Sequence, residues 1–151
     1  MPRAELSPEA AVIGTEGLEG LEAQLDGALL GLRRKVRGVQ GSVIADSNGL
    51  TVAGDIRSVS SSVLAAMSTL IVQSAGSVFE NIGMNGPETI LMEGPQANVV
   101  VMHIPAADMT LLALVDKTTN LGILKIEMAM AAQSIASALG FSVKPLRTSR
   151  S

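Results

Sequence analysis

The chain has 151 residues, 47% of them apolar, a formal net charge of −3 and no cysteine. That length suits one domain with a sizeable core, and the missing thiols exclude disulfides and thiolate metal sites and fit a reducing, cytoplasmic setting. The negative balance gives no bulk attraction to nucleic-acid phosphates or anionic lipid, and Phe79 and Phe141, the only aromatics, offer no platform for stacking on bases.

Residues 1–14, with Pro2, Pro8 and Gly14, read as a disordered leader that lacks the apolar stretch of an export signal. From Thr15 a helix is expected, because Leu18, Leu21, Leu25, Leu29, Leu32 and Val36 recur at spacings of 3, 4, 4, 3 and 4. Its acids (Glu16, Glu19, Glu22, Asp26) come early and its bases (Arg33, Arg34, Lys35, Arg37) late, which complements the helix dipole. The basic run RRKVR reads as a solvated helix end, with a docking patch for an acidic partner as the alternative. Gly38-Val39-Gln40-Gly41 stops the helix. Two short β-type runs, SVIAD and LTVAG, then flank Ser47-Asn48-Gly49, a strong hairpin signal. Asp46-Ser47-Asn48-Gly49 looks superficially like a calcium loop but has none of the later acidic ligands, so no metal is expected.

The stretch from Ser58 to Phe79 runs for 22 residues without a charged side chain, yet seven of them are serines. At about 100° per residue, Leu64, Ile71, Ala75, Val78 and Ile82 fall on one line, with Val63, Met67, Leu70 and Ser74 beside it. Val72 and Phe79 widen the apolar arc to roughly 200°, where a surface helix needs little more than about 100°. One part of the arc is expected to cover a sheet and the surplus to need a second partner. Polar and small residues interrupt every long apolar run, so no transmembrane segment is expected. Asp55 and Ser58 are the candidate caps of this helix, which should end near Gly83.

After Asn85-Gly86-Pro87 come three strand-like runs, TILME, NVVVMHI and MTLLALV. The last two are continuously apolar, as in strands covered on both faces. Lys117-Thr118-Thr119-Asn120 opens a final helix, in which Leu121, Leu124, Met128, Ala132, Ile135 and Leu139 again step by 3 or 4 until Gly140. Residues 141–151 read as a flexible basic tail. The order of helix, two strands, helix, three strands, helix, with short connections, implies an α/β domain: a five-stranded antiparallel sheet between helical layers.

Catalytic chemistry is hard to find. His103, the single histidine, sits inside an apolar strand run with no nucleophile or carboxylate at a telling spacing. There is no GxxxxGK[ST] loop and no GxGxxG. Arg57 stands alone before the middle helix and reads as a surface or capping residue rather than a catalytic finger. Neither an enzyme nor a cofactor is expected.

The element order, with GVQGSVIADSNGLTVAG, the small-residue helix after it and LLALVDKTTNLGILK before the last helix, resembles the Roadblock/light-chain-seven family, in particular its prokaryotic MglB-like branch. Gly38-Val39-x-Gly41, Asp46-x-x-Gly49-Leu50 and Asn120-Leu121-Gly122 carry the likeness, which covers residues 17–140 of a domain placed at 15–140. The resemblance implies a profilin-like three-layer sandwich of sheet order 2-1-5-4-3, with the middle helix on one face and both terminal helices on the other. It also implies a homodimer, or a heterodimer with a related subunit, formed through the third strands and the middle helices. Val63, Met67, Leu70 and Ser74, with Thr89, Ile90, Leu91 and Met92, are the candidate interface. The implied partner is a small Ras-like GTPase whose switch conformation is biased by differential affinity, with Arg57, Ser62, Thr69 and Gln73 as candidate contacts. Two other readings stay open: a light-chain-like structural adaptor that touches no GTPase, and a small-ligand sensor, for which these aliphatic strands supply few polar groups.

Overall fold

The computed structural model describes residues 8–140, with side chains from Glu19 onward. Its elements run α1 (Pro8–Lys35), β1 (Val39–Ala45), β2 (Thr51–Asp55), α2 (Ser61–Asn81), β3 (Thr89–Glu93), β4 (Ala97–Ile104), β5 (Met109–Asp116) and α3 (Leu121–Ala138). All strand pairs are antiparallel, and the sheet order is β2-β1-β5-β4-β3. The fold and strand order agree with expectation. The basic tail, residues 141–151, and residues 1–7 of the expected leader lie outside the described residues.

The leucine row of α1 becomes the main core. Leu25, Leu29, Leu32 and Val36 are buried with Leu124, Met128 and Ile135 of α3 against Ile44, Val100, Leu111, Ala113 and Val115 of the sheet. Each such aliphatic side chain contributes roughly 1.5–3 kcal/mol on burial, so this face anchors the domain. The helix begins at Pro8 rather than Thr15. Proline fits the first helical turn, where its missing N–H has no partner to lose, and a glycine inside a helix costs only about 1 kcal/mol; neither breaker was sufficient.

Gly38 follows α1 with φ +95°, and Gly41 lies against the Asp55 carbonyl, where an added Cβ would sit 2.7 Å away. The strand starts between them, at Val39, so the expected stop sequence is already half strand. Asp46 closes the β1–β2 hairpin by accepting from the backbone N–H groups of Asn48 and Leu50, both at 2.9 Å, and Gly49 takes φ +83°. The Asp-x-x-Gly sequence is thus a turn device. On α3, Asn120 caps by accepting from the Ile123 N–H at 3.0 Å, and Gly140 (φ +84°) follows the C-terminal end.

Candidate interaction surface

Among the described residues the second face of the sheet carries α2 alone, and the helix meets it through small residues. Ala65, Ser68 and Thr69 are its buried positions, and Ala65 packs with Val43 and Ala45 of β1. Leu64, Ile71, Val72 and Phe79 are half-buried on either side. The bulky residues point away: Val63, Met67, Leu70, Val78 and Ile82 are 54%, 52%, 61%, 60% and 59% exposed. The expected line of Leu64, Ile71, Ala75, Val78 and Ile82 is therefore split between a half-buried flank and open surface. A 200° arc does not say which part faces inward, and small residues win because they bring the helix closer to the strands.

Two hydroxyls make that close packing possible. The Ser68 hydroxyl donates to the Ala65 carbonyl at 2.8 Å, and the Thr69 hydroxyl lies 3.2 Å from both the Ala65 and Asp46 carbonyls. Buried hydroxyls satisfied by helix carbonyls avoid the cost of an unpaired polar group. The Asp46 contact ties α2 to the hairpin tip, where an added Cβ on Gly49 would lie 3.3 Å from the Ala66 Cα. The N-cap is Ser60, accepting from the Val63 N–H at 3.4 Å, and not Asp55 or Ser58. Asp55 is engaged elsewhere, holding Arg33 of α1 in an ion pair at 2.8 Å, so the basic run is not wholly solvated. Taken by length and composition, α2 is long and apolar enough to cross a membrane, contrary to the reading from uninterrupted runs. Its inner side is nevertheless seated on β1.

Beside α2 the sheet ends in β3, which among the described residues pairs only with β4. Residues directly opposite share a face, so Ile90 and Met92, facing Val101 and Val99, lie on the α2 side, and Leu91, facing Val100, lies on the other. Helices barely reach this strand, and Leu91 is 45% exposed. The outer edge of β3 thus offers unpaired backbone groups next to half-buried aliphatic side chains, a template for another strand. Of the eight expected interface positions, Val63, Met67, Leu70 and Ser74 are exposed along the outer side of α2, and Thr89, Ile90, Leu91 and Met92 line the bare edge.

The expected partner contacts do not form one set. Ser62 and Gln73 are exposed on one flank of α2, and Arg57 is exposed in the preceding loop. Thr69, on the same flank, is only 8% exposed and bonded to Asp46, so it belongs to the packing and not to the surface. His103 lies half-buried at 3.4 Å from Asp108, a structural contact at the β4–β5 turn. Among the described residues no group of three or more His, Cys, Asp or Glu is placed to hold a metal ion. Sequence reasoning missed the exposed row Ile123, Ile126 and Met130 on α3. Its signal was present in the spacing of 3 and 4, but the stronger row of Leu124, Met128 and Ile135 masked it.

Comparison with known proteins places this geometry. The Roadblock/LC7 domain family model matches residues 25–116. The chain is 30% identical over 116 residues to the uncharacterized protein MJ0714 of Methanocaldococcus jannaschii, covering 76% of this chain and 96% of that one. Among solved structures, the Roadblock/LC7 domain from Streptomyces avermitilis superposes with a TM-score of 0.71 at 20% identity, covering 76% of this chain and 97% of that one. Myxococcus xanthus MglB does so with a TM-score of 0.69 at 17% identity, covering 82% and 90%. The fold, the strand order and the family match agree, and the chain belongs to the Roadblock/LC7 domain family.

Proposed function

We propose that this protein is a non-catalytic, dimeric regulator or scaffold of a small Ras-like GTPase, acting in the cytoplasm. The observation that carries the reading is the bare apolar strip formed by the outer side of α2 and the open edge of β3. Four large side chains left more than half exposed along one helix are costly to keep in water, and an edge strand with little cover invites pairing. Two copies joined through β3 extend one sheet across both, with the α2 helices side by side over it. The family assignment and the fold shared with Myxococcus xanthus MglB support a GTPase as the occupant of the paired helices. Ser62, Gln73 and Arg57 then stand at the margin of that platform.

A platform of this kind alters the GTPase by binding one nucleotide state more tightly than the other, because a ligand shifts an equilibrium only by its differential affinity. Direct titration tests it. A Ras-like GTPase from the same organism, loaded with GDP or with a non-hydrolysable GTP analogue, is titrated with the purified protein. An affinity ratio of about tenfold or more between the two states is expected, corresponding to about 1.4 kcal/mol of coupling. Equal affinity for both states leaves a scaffold without regulation. No binding to either removes the GTPase and favours the structural adaptor, which uses the same dimer.

A further inference from the structure

The open edge of β3 has a definite backbone pattern. The strand pairs with β4 without a bulge, from Thr89 opposite Met102 to Glu93 opposite Asn98. Just past it, the Gly94 N–H donates to the Ala97 carbonyl at 3.0 Å and so points toward β4. Along an antiparallel strand the backbone groups of successive residues point to opposite sides. Met92 and Ile90 therefore exchange bonds with Val99 and Val101, whereas Thr89, Leu91 and Glu93 turn both N–H and C=O outward. Among the described residues nothing pairs with these outward groups. Pro87 and Pro95 stand two residues beyond either end of the run and have no N–H to add to it. The free donors are thus Thr89, Leu91 and Glu93, centred on Leu91.

This pattern is its own complement in one register. Two antiparallel copies related by a two-fold axis carry α2 on the same side of the joined sheet, and facing residues share a side. Ile90 and Met92, on the α2 side, can then meet only residues of that side, which excludes any slide by one residue. With Leu91 opposite Leu91 of the second copy, Thr89 falls opposite Glu93 on both flanks, and every outward N–H and C=O finds a partner. Pro87 then faces Pro95, and Glu88 faces Gly94, so no two carboxylates meet. A slide by two residues instead sets a proline opposite Glu93 or Thr89 and leaves that residue's carbonyl without a donor. The side chains agree with the centred register. Leu91, 45% exposed, is covered by its own counterpart, and the Thr89 hydroxyl can donate to the Glu93 carboxylate.

We propose that β3 pairs with a second copy of this same chain in that single register, Leu91 lying on the two-fold axis and Thr89 and Glu93 selecting the partner. The inference rests on the dimer proposed above and adds to it the register and the preference for self-pairing. A related subunit with an acid at the position of Thr89 brings two carboxylates together and is disfavoured, so this pair of residues discriminates between a homodimer and a mixed one.

The chain has no cysteine, so single cysteines report the register directly. Facing residues of an antiparallel pair lie about 4.5–5.5 Å apart at Cα, within the reach of a disulfide, whereas diagonal neighbours at about 7–8 Å lie beyond it. Leu91→Cys in the full-length protein, oxidised with copper phenanthroline, should form a covalent dimer at least about tenfold faster than Ile90→Cys or Met92→Cys. Ile90→Cys or Met92→Cys crosslinking as fast or faster reports a slide by two residues and overturns the register while the dimer stands. A dimer that none of the three variants crosslinks joins elsewhere and overturns the proposal as well. Wild-type protein that sediments as a monomer removes the dimer reading and this inference together. For the selecting pair, Thr89→Glu should raise the dimer dissociation constant about tenfold, and Thr89→Glu/Glu93→Lys should return it to within about threefold of wild type. An unchanged constant in Thr89→Glu, or no recovery in the double variant, overturns the role of the pair.

Discussion

Replacing Leu70 by glutamate separates the fold from the assembly. Leu70 is 61% exposed in the protomer, and burying a whole leucine is worth roughly 1.5–3 kcal/mol, so pairing of α2 helices draws about 1–2 kcal/mol from each copy. The dimer loses about 2–4 kcal/mol when both are removed. Two glutamates about 6 Å apart across a symmetric interface add roughly 3 kcal/mol of repulsion at an effective dielectric near 20. The sum, about 5–7 kcal/mol, raises the dimer dissociation constant roughly 10³–10⁵-fold. The protomer itself should change by no more than about 0.5 kcal/mol, because the side chain already faces solvent. Analytical ultracentrifugation across a concentration series reads the first effect, and urea unfolding of the monomeric species the second. A wild-type protein that stays monomeric at high concentration refutes the reasoning, as does a Leu70→Glu variant that dimerises like wild type.

Three further outcomes follow from the interior. Ser42 is fully buried and its hydroxyl has no hydrogen-bond partner among the described residues, so Ser42→Ala should leave thermal stability unchanged or raise it by up to about 1 kcal/mol; a clear loss means that the hydroxyl is satisfied. Gly38→Ala should cost more than about 2 kcal/mol, since φ is +95° and the new Cβ would lie 2.1 Å from the Thr119 hydroxyl oxygen, whereas Gly27→Ala, in open helix, should gain up to about 1 kcal/mol. Urea midpoints decide between these opposite signs. Asn120→Ala removes the cap of α3 and should cost about 1 kcal/mol by the same assay, with an unchanged midpoint showing that the Ile123 N–H does not need it.

The physical origin of what was readable differs from element to element. The row from Leu21 to Val36 and the aliphatic runs of β4 and β5 declare themselves because a burial requirement is written along consecutive residues. The β1–β2 hairpin is equally local, since Asp46, Asn48 and Gly49 form the turn with their own backbone. The orientation of α2 was not readable. Its apolar arc is wide enough to face the sheet several ways, and the choice depends on how closely Ala65, Ser68 and Thr69 approach β1. Thr69 was mistaken for a surface contact for the same reason. The cap was misplaced because Asp55 answers to Arg33, 22 residues away, a pairing that no local pattern announces. The outward pattern of β3 lay further still out of reach, because it is fixed only once the strand is set in register beside β4.

The join between α2 and the β1–β2 hairpin bears on how quickly partners can associate. The Thr69 hydroxyl reaches the Asp46 carbonyl, and the bare Cα of Gly49 rests close to Ala66, so sliding or tilting the helix drives it into a turn that is itself anchored in the sheet. The outer side of α2 is consequently held in shape before anything arrives. A surface fixed in advance forfeits little motional freedom on docking, and no slow rearrangement stands between collision and complex. For a partner that docks there, encounter is expected to set the pace of association.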